Sequence, residues 1–112
     1  MEFNINIQGD IGVIVLKGKL MGLPHTETLN KEVKRLMNQN ITKIVLDLHA
    51  VDWINSSGIG AIMRSFISVK NVVGDLRLAR ISNKVAEVLD LTQLYKIFKS
   101  YDTLDEAIIS LR

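Results

Sequence analysis

The feature that most constrains this chain is the way its apolar periodicity changes along its 112 residues. Phe3, Ile5 and Ile7 alternate with polar residues, which is the period of a strand half covered by a core. A Gly9–Asp10 turn and the β-branched run Ile11–Leu16 follow, so the N-terminal segment predicts a hairpin. Beyond it, helical and strand periods alternate to the end, which is typical of βαβ units with right-handed crossovers.

Further helices and strands complete the predicted order. The helices are expected from Pro24 to Asn38–Asn40, from Ser56–Ser57 to Gly74, from a Ser82 cap through Leu89, and from an Asp102 or Thr103 cap to Leu111. The strands are expected at Lys43–Leu48, Leu76–Ile81 and Lys96–Tyr101, with His49–Ser56 as a connection. Because Lys43–Leu48 is apolar almost throughout, it is expected to be a central strand. The sequence therefore predicts one α/β domain over residues 1–112, a mixed β-sheet flanked by α-helices.

Composition narrows the class of function. Fourteen basic and twelve acidic residues leave a net charge of +2 and are interspersed, so nucleic acid is not expected as a partner. The absence of cysteine excludes disulfides, thiolate metal sites and a cysteine nucleophile. The apolar runs are a few residues long, far short of the ~20 residues that cross a bilayer. We expect a cytoplasmic protein without a membrane segment.

The most unusual segment is Val51–Gly60, where a strand gives way to a helix. It places the hydroxyls of Ser56 and Ser57 next to Gly58, at the start of the predicted helix. Backbone N–H groups at a helix N-terminus carry partial positive charge, so a phosphate there is favourable. The same residues also make good N-capping sequence, with the glycines serving only a tight turn or close packing. Composition alone leaves both interpretations open.

Dinucleotide and metal sites fit the sequence poorly. The pair of glycines in Gly58–Gly60 lacks the third glycine of a dinucleotide fingerprint, because Met63 stands there. No cluster of His, Asp and Glu has the spacing of metal ligands, and Asp47 and Asp52 stay unassigned. We therefore expect no cofactor and no metal.

Nucleophilic catalysis also lacks its usual sequence context. Ser56 or Ser57 could in principle pair with His25 or His49, since a serine nucleophile needs a neighbouring base. However, no G-x-S-x-G elbow surrounds either serine. We expect no catalytic residue.

Three large apolar residues lie near these segments in the chain. Trp53 precedes the predicted helix and is expected to pack beneath the loop. Met21 and Leu23 lie in the loop before the first helix, where they could belong to the core or form an exposed contact. The sequence does not choose between those two positions.

The segment Val51–Ala61 resembles the signature of STAS domains, the family of anti-sigma-factor antagonists. The usual form of that signature is an apolar pair followed by Asp-Ser-Ser/Thr-Gly-Leu-Gly. Other parts of the chain resemble the family in the same order, namely Gly18–Leu20, Lys43–Leu48, Leu78–Leu94 and Tyr101–Ala107. The resemblance covers essentially the whole chain.

This resemblance implies a partner switch and not an enzyme. In stand-alone members, a serine kinase that is also an anti-sigma factor phosphorylates the first serine of the pair. The unphosphorylated form binds that kinase and frees the sigma factor, and a metal-dependent serine phosphatase restores the binding form. The resemblance thus makes Ser56 the phosphoacceptor and implies partner contacts at Gly22, Leu23, Asn55, Ser57 and Gly58.

Two positions depart from the family pattern. Asn55 replaces the usual aspartate and loses one charge, so a constitutive interaction scaffold whose Ser56 is never phosphorylated is an alternative. Gln93 stands where the family often has glycine, within Leu91–Leu94. A small-ligand-binding module is a further alternative, although the sequence shows no phosphate loop. Because a helix N-terminus favours negative charge, phosphorylation is expected to act at the interface with little change of fold.

Overall fold

Five strands form one sheet whose spatial order is the order of the chain, in a computed structural model that describes residues 1–112. The strands are Glu2–Gln8 (β1), Ile11–Leu20 (β2), Lys43–Ile54 (β3), Asp75–Ala79 (β4) and Ser100–Tyr101 (β5). Strand β1 is antiparallel to β2, and every other neighbouring pair is parallel. The predicted mixed sheet is confirmed.

Four α-helices connect or follow the strands. They are His25–Asn38 (α1), Ser56–Lys70 (α2), Asn83–Thr92 (α3) and Leu104–Ser110 (α4), with a 3₁₀ turn at Leu94–Lys96. Side chains cap three of them, because Asn55, Ser82 and Thr103 each accept a backbone N–H of the first turn. Thr103 also donates its hydroxyl to the carboxylate of Glu106 at 3.0 Å, so Thr103 is the cap, but that carboxylate does not accept the backbone N–H of Thr103 as a complete capping box requires.

The sheet separates two cores of unequal size. Helices α1, α2 and α3 cover one face with a cluster of 21 buried residues, in which Leu46 and Ile62 are almost fully buried. Helix α4 covers the other face with a cluster of seven, which includes Val45 and Ile108. The adjacent residues Val45 and Leu46 lie in different clusters because successive side chains of a strand point to opposite faces. Strand β3 is therefore buried on both sides, as its apolar sequence predicts.

The prediction that residues 49–56 form a connection was wrong, because β3 continues to Ile54. Residues 17–20 of β2 keep pairing with residues 50–54 of β3 through two register shifts, so the ladder extends past the apolar run. The polar residues His49 and Asp52 interrupt the apolar pattern that marks a strand, but both are exposed and leave the backbone pairing intact. The extension carries Trp53 and Ile54 to the end of the sheet.

The strands predicted at Leu76–Ile81 and Lys96–Tyr101 are shorter than expected. Strand β4 ends at Ala79 because Arg80 adopts a left-handed conformation with φ of 51°. In the second segment only Ser100–Tyr101 is strand. Lys96, the first residue of that segment, belongs to the 3₁₀ turn. Phe98 is buried there against the ring of Phe66, so its apolar character serves the core and not a strand.

Candidate functional site

The first turn of α2 lies against the ends of the two longest strands. Leu20 ends β2 and pairs with Ile54, which ends β3. The backbone N–H of Asn55 then points to the carbonyl oxygen of Leu20, with 3.5 Å between the two atoms. Helix α2 therefore begins directly at the carboxyl edge of the sheet, without an intervening loop.

Gly58 makes this docking possible. Its α-carbon is buried, and a Cβ there would collide with the carbonyl oxygen of Leu20 and lie 2.8 Å from the Cγ1 of Ile54. A Cβ on Gly60, by contrast, would meet only the guanidinium of Arg64, at 3.4 Å. Of the two glycines in the motif, Gly58 is the one whose lack of a side chain sets the position of α2.

Asn55 caps α2 and leaves the two serines open. Its side-chain oxygen accepts the N–H of Gly58 at 3.1 Å, so the capping interpretation of this segment is confirmed for Asn55. Asn55, Ser56 and Ser57 are all exposed, and no acidic side chain lies in the first turn. No negatively charged side chain of the first turn therefore compensates the positive end of the α2 dipole, and the hydroxyls of both serines are accessible there. Such a site can accommodate an added anionic group without a local clash of charge.

The loop between β2 and α1 adds an exposed apolar rim to this edge. Leu23 is 74% exposed and Met21 is 45% exposed, so the structure decides for the exposed position of both. Gly22 lies between them with φ of 120°, a conformation that L side chains rarely adopt. Its carbonyl accepts the N–H of Thr26 at 3.1 Å, which ties the loop to the first turn of α1. Because Leu20 touches Gly58, the loop begins beside the start of α2.

Trp53 lies at the same carboxyl edge of the sheet, near the end of β3, and not beneath a loop, so its predicted burial was wrong. The side chain is 45% exposed, and the ammonium of Lys84 lies 4.1 Å from the ring centroid. At that distance the cation is attracted by the electrons of the ring face. Sequence reasoning missed this pair because the interpretation of residues 49–56 as a connection hid the strand that presents Trp53.

Asp47 forms an ion pair on the opposite side of β3 from the larger core. Its carboxylate is 1% exposed and receives two hydrogen bonds from Arg80, at 2.6 and 3.2 Å, and one from the N–H of His49. The bond to Asp47 raises the pKa of Arg80 above its ordinary value, so the cation stays fully charged. Asp52 is exposed, and no group of three or more His, Cys, Asp or Glu side chains could hold a metal ion. Asp47 therefore braces the interior of β3 against Arg80, the residue that follows the end of β4.

Neither histidine is hydrogen-bonded to Ser56 or Ser57. His49 is exposed in the middle of β3, five residues before Ile54, which is roughly 16 Å along a strand. His25 begins α1.

Comparison with known proteins places this geometry in a family. The model of the STAS domain matches residues 2–107. The chain belongs to the STAS family. A candidate anti-sigma factor antagonist of Thermotoga maritima is 32% identical over 111 residues, which cover 98% of this chain and 97% of that protein.

Solved structures of STAS proteins share the fold. The crystal structure of a candidate anti-sigma factor antagonist from Thermotoga maritima superposes with a TM-score of 0.89 at 31% identity, covering 98% of this chain and 94% of that one. The Bacillus cell-fate determinant SpoIIAA in its phosphorylated form gives 0.77 at 22% identity, covering 99% of this chain and 100% of that one. Unphosphorylated SpoIIAA gives 0.76 at 20% identity, with 97% and 96% covered. None of the helices in this chain has the length and apolar character that crossing a membrane requires.

Proposed function

We propose that this protein is an anti-sigma-factor antagonist that works as a phosphorylation-dependent partner switch in the cytoplasm. In this proposal it binds an anti-sigma factor that is also a serine kinase, and it does so while Ser56 is unphosphorylated. A metal-dependent serine phosphatase reverses the modification. The protein is a regulatory binding module and performs no chemistry itself.

The observation that carries the proposal is the exposed hydroxyl of Ser56 at the first position of α2. A kinase needs an acceptor that it can surround, and Ser56 follows the capping residue at an edge where no side chain covers it. The phosphate would lie at the positive end of α2, where it interacts favourably with the helix dipole. Nothing in the first turn opposes it, since that turn has no acidic residue.

The switch then acts on the surface and not on the fold. Phosphorylation adds about −1.5 to −2 charges at neutral pH, together with the bulk of the phosphate. A partner that covers Ser56 would have to desolvate that charge, which weakens the complex. The phosphorylated and unphosphorylated forms of SpoIIAA both share the fold of this chain, with TM-scores of 0.77 and 0.76, which supports a switch that leaves the fold in place. We expect unchanged far-ultraviolet circular dichroism on phosphorylation, and amide shifts that are confined to the surroundings of Ser56.

The contact surface in this proposal combines two segments. Asn55 and Ser57 flank the acceptor and are exposed, and Leu23 offers the most exposed apolar side chain of the neighbouring loop. Gly22 contributes through the left-handed backbone that presents Leu23. Gly58 is buried, so its contribution is the seating of α2 beneath the surface. Trp53 and Met21 extend the apolar part of the edge.

The first experiment incubates the protein with ATP and the serine kinase encoded nearest its gene, followed by intact mass spectrometry and peptide mapping. We expect one added phosphate on Ser56 that is absent in Ser56→Ala. Ser57→Ala is the matched control, because it removes the neighbouring hydroxyl and should still be phosphorylated. Phosphorylation that persists in Ser56→Ala, or that disappears only in Ser57→Ala, would contradict the assignment of the acceptor.

A constitutive scaffold is the second candidate, and Asn55 is the observation that favours it. Asparagine keeps the cap but lacks the charge that a cognate kinase meets in the usual motif. The variant Asn55→Asp restores that charge and stabilises α2 by about 0.3–1 kcal/mol through the helix dipole. If only Asn55→Asp is phosphorylated while both proteins form a stable complex, the scaffold replaces the switch.

A further inference from the structure

The two edges of the sheet are built differently. Strand β5 at one edge has only two residues, Ser100–Tyr101, and is followed at once by α4, which packs beside it. Strand β1 at the other edge has seven residues and pairs only with β2. Short or covered edges are how proteins prevent pairing with another strand. Edge β5 is protected in this way, whereas β1 presents a long row of backbone groups to solvent.

Strand β1 also lacks the devices that protect a long edge strand. Its pairing with β2 runs without a register shift from Glu2 to Gln8, so no bulge twists the edge away. It contains no proline and no lysine, and Glu2 is its only charged residue. Such a strand is a template for another strand.

The turn of the hairpin determines which backbone groups of β1 face outwards. Gly9 and Asp10 form a two-residue loop, so Gln8 and Ile11 form the hydrogen-bonded pair that closes it. Hydrogen-bonded and non-bonded pairs alternate along an antiparallel ladder. The N–H and C=O groups of Phe3, Ile5 and Ile7 therefore point away from β2, towards the open edge.

We propose that β1 pairs antiparallel with β1 of a second copy of this chain, with Ile5 on the two-fold axis. The sequence is self-complementary in that register, since Phe3 lies opposite Ile7 and Asn4 lies opposite Asn6 of the other copy. Glu2 lies opposite Gln8, so no like charges face each other. Because both chains use the same patch, the contact is closed and stops at a dimer.

Side-chain exposure agrees with this register. Phe3 and Ile5 pack on the larger core from the same face as Ile7, which is 45% exposed at the edge. Phe3 of the second copy would cover that part of Ile7. The asparagines lie on the other face, where Asn4 and Asn6 are exposed. The dimer makes one continuous sheet and leaves Ser56 accessible, because the serine lies at the strand ends and not along β1.

The test measures the mass of the untagged chain by sedimentation equilibrium up to about 1 mM, the range of weak association. We expect a reversible monomer–dimer equilibrium. Asn4→Lys/Asn6→Lys places like charges opposite each other at both symmetric positions, and Asn4→Lys/Asn6→Glu places opposite charges there. The dimer dissociation constants of the two variants should differ by roughly tenfold, in favour of the second, since cross-strand charge pairs set such differences.

Amide hydrogen exchange gives a second readout that does not depend on the variants. The amides of Phe3, Ile5 and Ile7 should become protected as concentration rises, whereas those of Asn4 and Asn6 are protected by β2 at every concentration. Both variants change only exposed residues. Equal melting temperatures of the two variants would show that a difference in dimerisation does not come from a difference in folding. A monomer at all concentrations, or a dimer that is indifferent to the two charge patterns, would overturn the proposal.

Discussion

The two faces of the sheet differ in how they are stabilised. The face under α1, α2 and α3 is closed by an apolar cluster of 21 buried residues, and the face under α4 by a cluster of seven. The smaller face adds polar bonds, because Arg77 reaches the hydroxyl of Tyr101 at 2.9 Å and the carbonyl of Ser110 at 3.0 Å. The ion pair of Asp47 and Arg80 is on this side as well.

The difference explains where the candidate site lies. Helix α2 carries Ser56 at its first turn and is held over its length by the larger core, through buried residues such as Ile59 and Ile62. Helix α4 has only seven residues, of which two, Ala107 and Ile108, are buried. An exposed functional turn needs a rigid base, and the larger core supplies it.

The strongest test of this comparison replaces one isoleucine on each face. Ile62→Ala should lower the free energy of unfolding by about 4 kcal/mol, because the substitution leaves a cavity under α2 that the tightly packed neighbours cannot fill. Ile108→Ala, which removes the same atoms from α4, should cost about 2 kcal/mol, since a terminal helix can shift to fill the space. Urea denaturation measures both. Equal losses would mean that the two faces do not differ in rigidity.

The next largest effect concerns the seating of α2. Gly58→Ala should cost about 3 kcal/mol, since its methyl group would collide with the carbonyl of Leu20 and push the helix from the strand ends. Gly60→Ala is the matched control, and it should stabilise the helix by about 0.5–1 kcal/mol because its Cβ has room. Thermal melting of the two variants, with partner binding by calorimetry, checks this. If Gly58→Ala left the melting temperature unchanged, the strand ends would have to shift and make room for the methyl group.

On the smaller face, Arg80→Ala should cost about 2 kcal/mol, because it leaves the buried carboxylate of Asp47 without its cation. The value lies below that of a fully buried pair, since the side chain of Arg80 is 42% exposed. Arg80→Lys keeps the charge and should recover part of the loss. Chemical denaturation would contradict the bracing role if Arg80→Ala were as stable as the original chain.

The smallest effect is expected at Tyr101, which helps to hold α4. Tyr101→Phe should cost about 1 kcal/mol at neutral pH, the net value of one hydrogen bond with Arg77. The bond with Ser110, and then the charge of Arg77, lower the pKa of Tyr101. The unfolded chain therefore holds this proton to higher pH, so the Tyr101 contribution to stability increases as pH rises towards 10. The stability difference between the original chain and Tyr101→Phe should widen as the pH rises towards 10, which urea denaturation at a series of pH values measures.

Much of this architecture could be predicted because it depends on local patterns. The alternation of periods gave the element order, and the caps at Ser82 and Thr103 are local side-chain bonds. The close approach at Gly58 was one of two interpretations of the motif, and the structure shows its cause in the carbonyl of Leu20. The bond between Asp47 and Arg80 joins residues 33 positions apart, and no local pattern marks it.

The errors share a physical origin. The extra residues of β3 are strand because β2 pairs with them, and Trp53 is exposed because that pairing carries it beyond the core. The short β5 follows from the burial of Phe98, which depends on the distant ring of Phe66. Each error concerns a segment whose structure is decided by a partner remote in the chain.

One side chain couples the two segments of the candidate surface. Asn30 of α1 donates to the carbonyl of Ala61 at 3.0 Å and to the hydroxyl of Ser65 at 2.7 Å, and it accepts from Arg64. These bonds fasten α1, which follows the loop, to the middle of α2, which carries Ser56 at its start. A partner that covers both would meet a preorganised surface, so little conformational entropy is lost on association. Changes in affinity among partners should then appear mainly in the rate of dissociation.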